Sequence, residues 1–293
     1  MNDFETLRPL LFGIAYRMLG SAMEAEDIVQ EAYLRYRDVA EEHVRSPKAL
    51  LTTIVTRLCL DHLKAARVQR EVYIGDWLPE PVLTQDLPFE RAIEAETLSM
   101  AFLLLLEHLS PLERAVFLLH EVFDYTYREI GEIVDRSEPA CRQLLHRAKV
   151  QISMHRSHLA DPVDVSHRVL AQFVDAVSSG DVAGVMQLIA DDGVSVSDGG
   201  GKASAATRPL VGADRIARFI MGLVRQAPPD SEVEVASINA QPGLIVRVSG
   251  HVEIVVVLHV YLGQIQRVYF IRNPEKLHLI RMDVTVSPDS KSP

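Results

Sequence analysis

The hydrophobic period of this chain changes once, near Val165, and that change bounds the folds open to it. Before it, apolar residues recur at helical spacing. Ile28, Ala32 and Tyr36 fall at i, i+4 and i+8 in EAEDIVQEAYLRYRD, with Val29 and Tyr33 beside them. SPKALLTTIVTRLCLDHLKAARVQR opens with Ser46 as N-cap and Pro47 at the first helical position. After Val165, SHRVLAQFVDAVSSGDVAGVMQLIADD reads as two helices joined at Gly180, and GADRIARFIMGLVRQA as a third. Then come SEVEVASI, GLIVRVSG, HVEIVVVLHVYLG and IQRVYFIR, rich in Val and Ile and separated by Gly, Pro or Asn. Helices followed by a run of strands predict a multidomain chain: all-α units first, then an α+β domain with helices on one face of an antiparallel sheet. In HVEIVVVLHVY, alternation predicts Val252, Ile254, Val256, Leu258 and Val260 on the helix-packed face. It puts His251, Glu253, Val255, Val257, His259 and Tyr261 on the other.

A length of 293 residues suits two or three domains, and 48% hydrophobic with 24% charged residues is the balance of a folded chain. The apolar run AFLLLL falls far short of the roughly 20 residues of a membrane span. The start, MNDFETLRPL, lacks the basic-then-apolar order of a secretory signal. No membrane partner and a cytoplasmic location are therefore expected. Cys59 and Cys141 both sit in helical patterns, so neither a disulfide framework nor a cysteine-rich metal site is expected, and no cofactor is implied.

Between the helical groups, Glu71 to Glu90 reads as an extended linker with three prolines in GDWLPEPVLTQDLP. Trp77 within it calls for a docking surface. The acids Glu71, Asp76, Glu80, Asp86 and Glu90, with no base among them, predict pairing with Lys202 or Lys276. Exposed pairs of that kind contribute about 0–1 kcal/mol each, which leaves Trp77 to supply much of any clamp.

YREIGEIVDRSEPACRQLLHRAKVQI has the anatomy of a helix-turn-helix. Ile130, Ile133 and Val134 form the buried edge of the first helix, Gly131 allows close approach, and Asp135–Ser137 make the turn. Ser137 caps the second helix, on which Leu144, Leu145, Ala148 and Ile152 face inward. Arg142, Gln143, His146, Arg147 and Lys149 remain outside. Arg forks to guanine, Gln pairs with adenine, and Lys neutralises phosphate. With Arg136 and against Glu138, the second half of the segment, from Arg136 on, gathers a net +3 in a chain of net charge −10, which favours DNA over a merely solvated face.

Together these residues resemble the extracytoplasmic-function branch of the sigma-70 family of transcription initiation factors. EAEDIVQEAYLR is similar to the family's polymerase-docking block, SPKALLTTIVTRLCLDHLKAAR to its −10 block, and LSPLERAVFLLHEVFDYTYREIGEIVDRSEPACRQLLHRAK to its −35 helix-turn-helix. WLPEP (Trp77–Pro81), DGGGK (Asp198–Lys202) and NPEKL (Asn273–Leu277) match signatures of a subgroup with a SnoaL-like C-terminal domain. The resemblance implies two all-α domains followed by an α+β cone with a curved antiparallel sheet. It divides the chain into a region 2 domain (1–70), a linker (71–92), a region 4 domain (93–158), a SnoaL-like regulatory domain (165–285) and a disordered tail (286–293). It implies core RNA polymerase and promoter DNA as partners, and control in cis by the C-terminal domain. Asp27, Gln30 and Glu31 would dock polymerase. Lys48, Arg57, Lys64 and Arg67 would serve the −10 element, with base capture by the loop from His43 to Lys48. Ser137, Arg142, Gln143, His146, Arg147 and Lys149 would serve the −35 element. Trp77, Pro79, Asp198, Gly200, Lys202, Asn273, Pro274 and Lys276 would join the domains.

The resemblance also implies a C-terminal cavity able to take a small-molecule ligand, since some SnoaL-like relatives are cyclases or isomerases. DGGGK lacks the order of a phosphate-binding P-loop and reads as a loop that contacts the sigma half. No catalytic residue and no enzyme activity are expected. The alternative is a SnoaL-like ligand-processing enzyme or sensor fused to a DNA-binding module, in which His251, Glu253 or His259 would act on a substrate proton.

Overall fold

A computed structural model describes residues 2–39, 44, 46–70, 73–84, 97–155, 161 and 163–281, without the side chains of Asn2, 66–70, His155 and Arg281. The expected tail at 286–293 lies outside the described residues, as do 71–72 and 85–92 of the expected linker.

Helices α1 (Asn2–Leu19), α2 (Ala22–Arg37) and α3 (Pro47–Arg70) form the first group. Ser21 Oγ caps α2 through Glu24 N at 3.2 Å, and Ser46 Oγ caps α3 through Ala49 N at 3.3 Å. The second group is α4 (Met100–Leu106), α5 (Pro111–Glu121), α6 (Tyr127–Val134) and α7 (Glu138–His155). Ser110 with Glu113 and Thr126 with Glu129 build capping boxes at the starts of α5 and α6. The α6–α7 turn begins at Asp135 in the left-handed region (φ 53°). A Cβ at Gly131 would lie 2.6 Å from Arg136 O, so only glycine lets this turn close. The two groups bury one continuous core, in which Ile14, Leu51, Val55 and Cys59 join Leu103, Val116, Ile130, Cys141 and Leu145.

The C-terminal part contains α8 (Val163–Ser179), α9 (Val182–Leu188), β1 (Ile189–Asp198), β2 (Leu210–Val211), α10 (Ala213–Gln226), β3 (Ser231–Ile238), β4 (Gln241–Val248), β5 (His251–Tyr261), β6 (Gln264–Ile271) and α11 (His278–Arg281). The sheet order is β2-β1-β6-β5-β4-β3. It is antiparallel except where β1 runs parallel to β6. The second helix of the sequence reading thus stops at Leu188, and Ile189–Asp198 is a strand.

Both faces of the sheet are covered, except along the edge strand β3, whose residues 232–235 are exposed. Val169, Leu170, Phe173, Ile216, Ile220 and Met221 pack on Leu244, Val256, Leu258, Val260, Val268 and Phe270. On the other face Ile245, Val252, Val255, Val257, Tyr269 and Ile271 meet Leu78 and Leu83 of the linker, Met100 of α4, and Leu277 and Ile280. Val252 therefore lies opposite to the face that strict alternation assigns it. The register steps from Val246↔Ile254 to Arg247↔Val252, so Glu253 is an extra residue that turns Val252 over. The face bearing Val255 and Val257 is a buried seam against the linker and α4. Among the described residues no helix is long and apolar enough to cross a membrane.

Candidate nucleic-acid interface and interdomain clamp

Ser137, just ahead of α7, and Gln143, His146 and Arg147 on it face solvent. Arg142, also exposed, pairs with Glu138 at 2.9 Å and stacks 4.9 Å from the Tyr127 ring centroid, which fixes its direction. Lys149 turns back to Glu121 of α5 at 2.9 Å. Against the cost of burial, hydrogen bonds from Lys149 and His120 hold Glu121 below the usual carboxylate range. This face is open, and at its edge Arg128 adds a cation that the sequence analysis did not count, beside Arg136, which it did.

The α3 candidates are arranged differently. Arg57 donates from Nε to Ile133 O at 3.0 Å and from Nη2 to Glu132 O at 3.2 Å, so it caps the C-terminus of α6. Lys48 lies 5.2 Å from the centroid of Tyr125, whose hydroxyl is 2.8 Å from Thr52 Oγ1. Lys64 is exposed and pairs with Asp61 at 2.9 Å. The Arg67 side chain and His43 lie outside the described residues. Lys48 and Arg57 are thus engaged by the second helical group, while Lys64 points to solvent.

Beside the start of α3 a pocket of about 480 Å³ is lined by Phe4, Tyr33, Tyr36, Arg37, Val44 and Pro47. The Phe4 and Tyr33 rings are 4.7 Å apart. The sequence reading found few aromatics near this loop. They come instead from α1 and α2, where helical spacing marks them as core.

On α2, Asp27 and Gln30 are exposed, and Glu31 pairs with Arg35 at 2.8 Å. Met23 and Leu34, 50% and 45% exposed, flank them on the same face. Apolar side chains framing acids on an open helix face suit a protein partner.

The three short strings meet at Asp198, which is fully buried. Its Oδ1 accepts from Tyr73 Oη (2.6 Å) and Gly200 N (3.0 Å), and its Oδ2 from Leu78 N (2.9 Å) and Lys276 Nζ (2.7 Å). Lys276 also donates to Leu78 O and lies 4.4 Å from the Trp77 and 5.1 Å from the Tyr73 centroid. Asn273 Nδ2 donates to Tyr73 Oη at 3.0 Å, and Gly200, at φ +58°, leaves the space Asn273 fills. Pro79 is buried and Pro274 half-buried in the same joint. Trp77 lies on Gly20, at the α1–α2 turn.

The expected pairing with Glu71, Asp86 and Glu90 falls outside the described residues, and the ion pairs seen for the two lysines are with other acids. Lys202 pairs with Glu275, and Lys276 with Asp198, inside the C-terminal part. With Asp198 fully buried and Lys276 nearly so, the second pair is no exposed rim contact. Of the linker acids, Asp76 and Glu80 are described. Glu80 Oε2 accepts from Ser21 Oγ (2.9 Å), Ala22 N (2.8 Å) and Met23 N (3.2 Å), completing the N-terminus of α2. Burial pushes its carboxyl above the usual range. Burial, and then the charge of Asp198, does the same to Asp76.

His251 and Glu253 are exposed at the bulged start of β5, and His259 is buried near its far end. Among the described residues no group of His, Cys, Asp and Glu is placed to hold a metal ion.

Residues 4–68 match the Sigma-70 region 2 family and residues 99–152 the Sigma-70, region 4 family. The chain is 37% identical over 249 residues to the "ECF RNA polymerase sigma factor SigJ" of Mycobacterium tuberculosis, covering 83% of this chain and 80% of that one. It is 30% identical over 282 residues to the "Probable ECF RNA polymerase sigma factor SigI" of the same organism, with 94% of each covered. The crystal structure of Mycobacterium tuberculosis SigJ superposes with a TM-score of 0.76 at 34% identity, covering 94% of this chain and 98% of that one.

Proposed function

The chain belongs to the extracytoplasmic-function sigma factors of the sigma-70 family, and on that premise we propose that it is held in a closed state whose −10 surface is occupied by its own region 4. As a sigma factor of this family it directs RNA polymerase in promoter-specific initiation. The observation that carries the closed-state reading is Arg57. A guanidinium spent on two backbone carbonyls of α6 is not available to promoter phosphates.

In this reading polymerase docks on α2 through Met23, Asp27, Gln30, Glu31 and Leu34, which face solvent in the closed state. The −35 duplex is read by Ser137, Arg142, Gln143, His146 and Arg147, with Lys149 on phosphate once it leaves Glu121. The −10 element engages Lys48, Arg57, Lys64 and Arg67 after α3 and α6 part. An unstacked base then enters the Phe4–Tyr33–Tyr36 pocket, where ring stacking is worth roughly 1–3 kcal/mol. The C-terminal domain acts without bond chemistry. Its clamp on the WLPEP linker fixes the two regions against each other, and Glu80 ties the clamp to α2 itself.

Transcription with bacterial core polymerase on fragmented genomic DNA tests this. The full chain should give promoter-directed transcripts, and Lys276→Ala should give several-fold more. Equal or lower output from the variant, with polymerase binding intact, would count against the closed state.

A further inference from the structure

Strands β3 and β4 join through Asn239 and Ala240, both left-handed (φ 52° and 57°). A hairpin tip is ordinarily exposed, yet Asn239 is fully buried. It sits where region 2, the linker and region 4 converge. Its N–H donates to Val82 O (2.9 Å), and its Oδ1 accepts from Val82 N (3.1 Å). Its Nδ2 donates to Tyr16 Oη of α1 (2.6 Å) and to Leu98 O ahead of α4 (3.1 Å). Tyr16 Oη in turn donates to Glu80 O at 2.7 Å. Beside the tip, Thr84 Oγ1 accepts from Ala240 N (2.8 Å) and Ser237 Oγ (3.0 Å), and Leu83 bridges Ile238.

We infer that Asn239 is the keystone of the closed state, a positioning residue through which the C-terminal domain holds region 2 against region 4. It belongs to none of the three signature strings, so the clamp has a second, independent anchor. The chemistry selects asparagine. The site needs a left-handed backbone, which Asn adopts more readily than most residues. It also needs one acceptor and two donors on the same side chain. Asp has no donor when ionised, and Gly has no side chain. The inference rests on the closed-state reading, because it names what keeps α3 against α6.

The test uses full-length Asn239→Gly, which keeps the backbone conformation and deletes only side-chain bonds, and the milder Tyr16→Phe. Amide exchange is followed at Thr52–Arg57 of α3 and Ile130–Val134 of α6, none of which Asn239 bonds. Exchange there should rise about tenfold in Asn239→Gly and less in Tyr16→Phe, with β5 and β6 unchanged. The double variant should fall short of the sum of the two single effects, since both remove the Asn239–Tyr16 bond, although Tyr16→Phe also removes the bond to Glu80 O. Unchanged protection at α3 and α6 would overturn the inference. So would a uniform rise that includes β5 and β6, which is plain loss of stability. If Tyr16→Phe alone proves well folded, additive behaviour against Asn239→Asp overturns it equally. Association of the unaltered chain with core polymerase is measured in parallel. Its absence would sink the sigma-factor reading while leaving the exchange result standing.

Discussion

Asp198 shows what one residue contributes to the clamp. Its carboxylate is fully buried and satisfied by four donors from three segments. Removing a partner from such a charge leaves it uncompensated, at a cost of about 3–5 kcal/mol. Lys276→Met should lower unfolding stability by that order in urea titrations, and Asp198→Asn on the same background should recover much of it. Equal and additive losses would mean the ion pair does not organise the joint. Glu80 and Asp76 give a pH signature of definite sign. Burial raises both carboxyls, so their contribution is complete below the ordinary carboxylate pKa and is lost as pH rises through the raised folded-state value. Glu121 and Glu129 are shifted down and carry the opposite slope, so the comparison must be between variant and parent. Lowering pH from about 7 to about 5 should stabilise the parent relative to Glu80→Gln, read as the difference in urea midpoints. An identical pH slope in the two proteins would show that Glu80 does not titrate in the joint.

At the scale of elements, the linker is the part whose sequence and structure differ most in meaning. Gly20 takes φ +70°, and a Cβ there would lie 2.6 Å from the Trp77 ring. Gly20→Ala should therefore both strain the α1–α2 turn, by about 1–2 kcal/mol, and push Trp77 off. Trp77→Ala should expose the linker to protease without the turn strain, and unchanged cleavage rates in both would remove Trp77 from the account. Legibility followed the range of the interactions. The helix cap at Ser46 is local chemistry, and helical period placed α2, α3, α6 and α7. Strand β1 was hidden because IADDGVSVSD follows α9 with no turn signal and pairs in parallel with β6. One extra residue, Glu253, reversed Val252 in a way no count of alternation shows. Arg57 was recognisable as a cation, but its partners lie 75 and 76 residues away, beyond any periodic signal. Asn239 looks like an ordinary turn residue until the three segments around it are assembled.

At the scale of the whole molecule, the α2 face proposed to dock polymerase and the α7 face proposed to read DNA are open, whereas Arg57 of α3 is engaged by α6. On the proposed closed-state reading, the C-terminal domain holds together two helical groups that must separate for the −10 element to be engaged. The most direct measurement is the distance between labels on Asp61 of α3 and Met154 of α7, both strongly exposed, introduced through non-natural residues so that Cys59 and Cys141 stay intact. The free chain should show one short-distance population that shifts to a longer distance when core polymerase binds, and that loosens in Lys276→Ala without it. A free chain whose distance distribution already equals that of the polymerase-bound form would contradict the closed state.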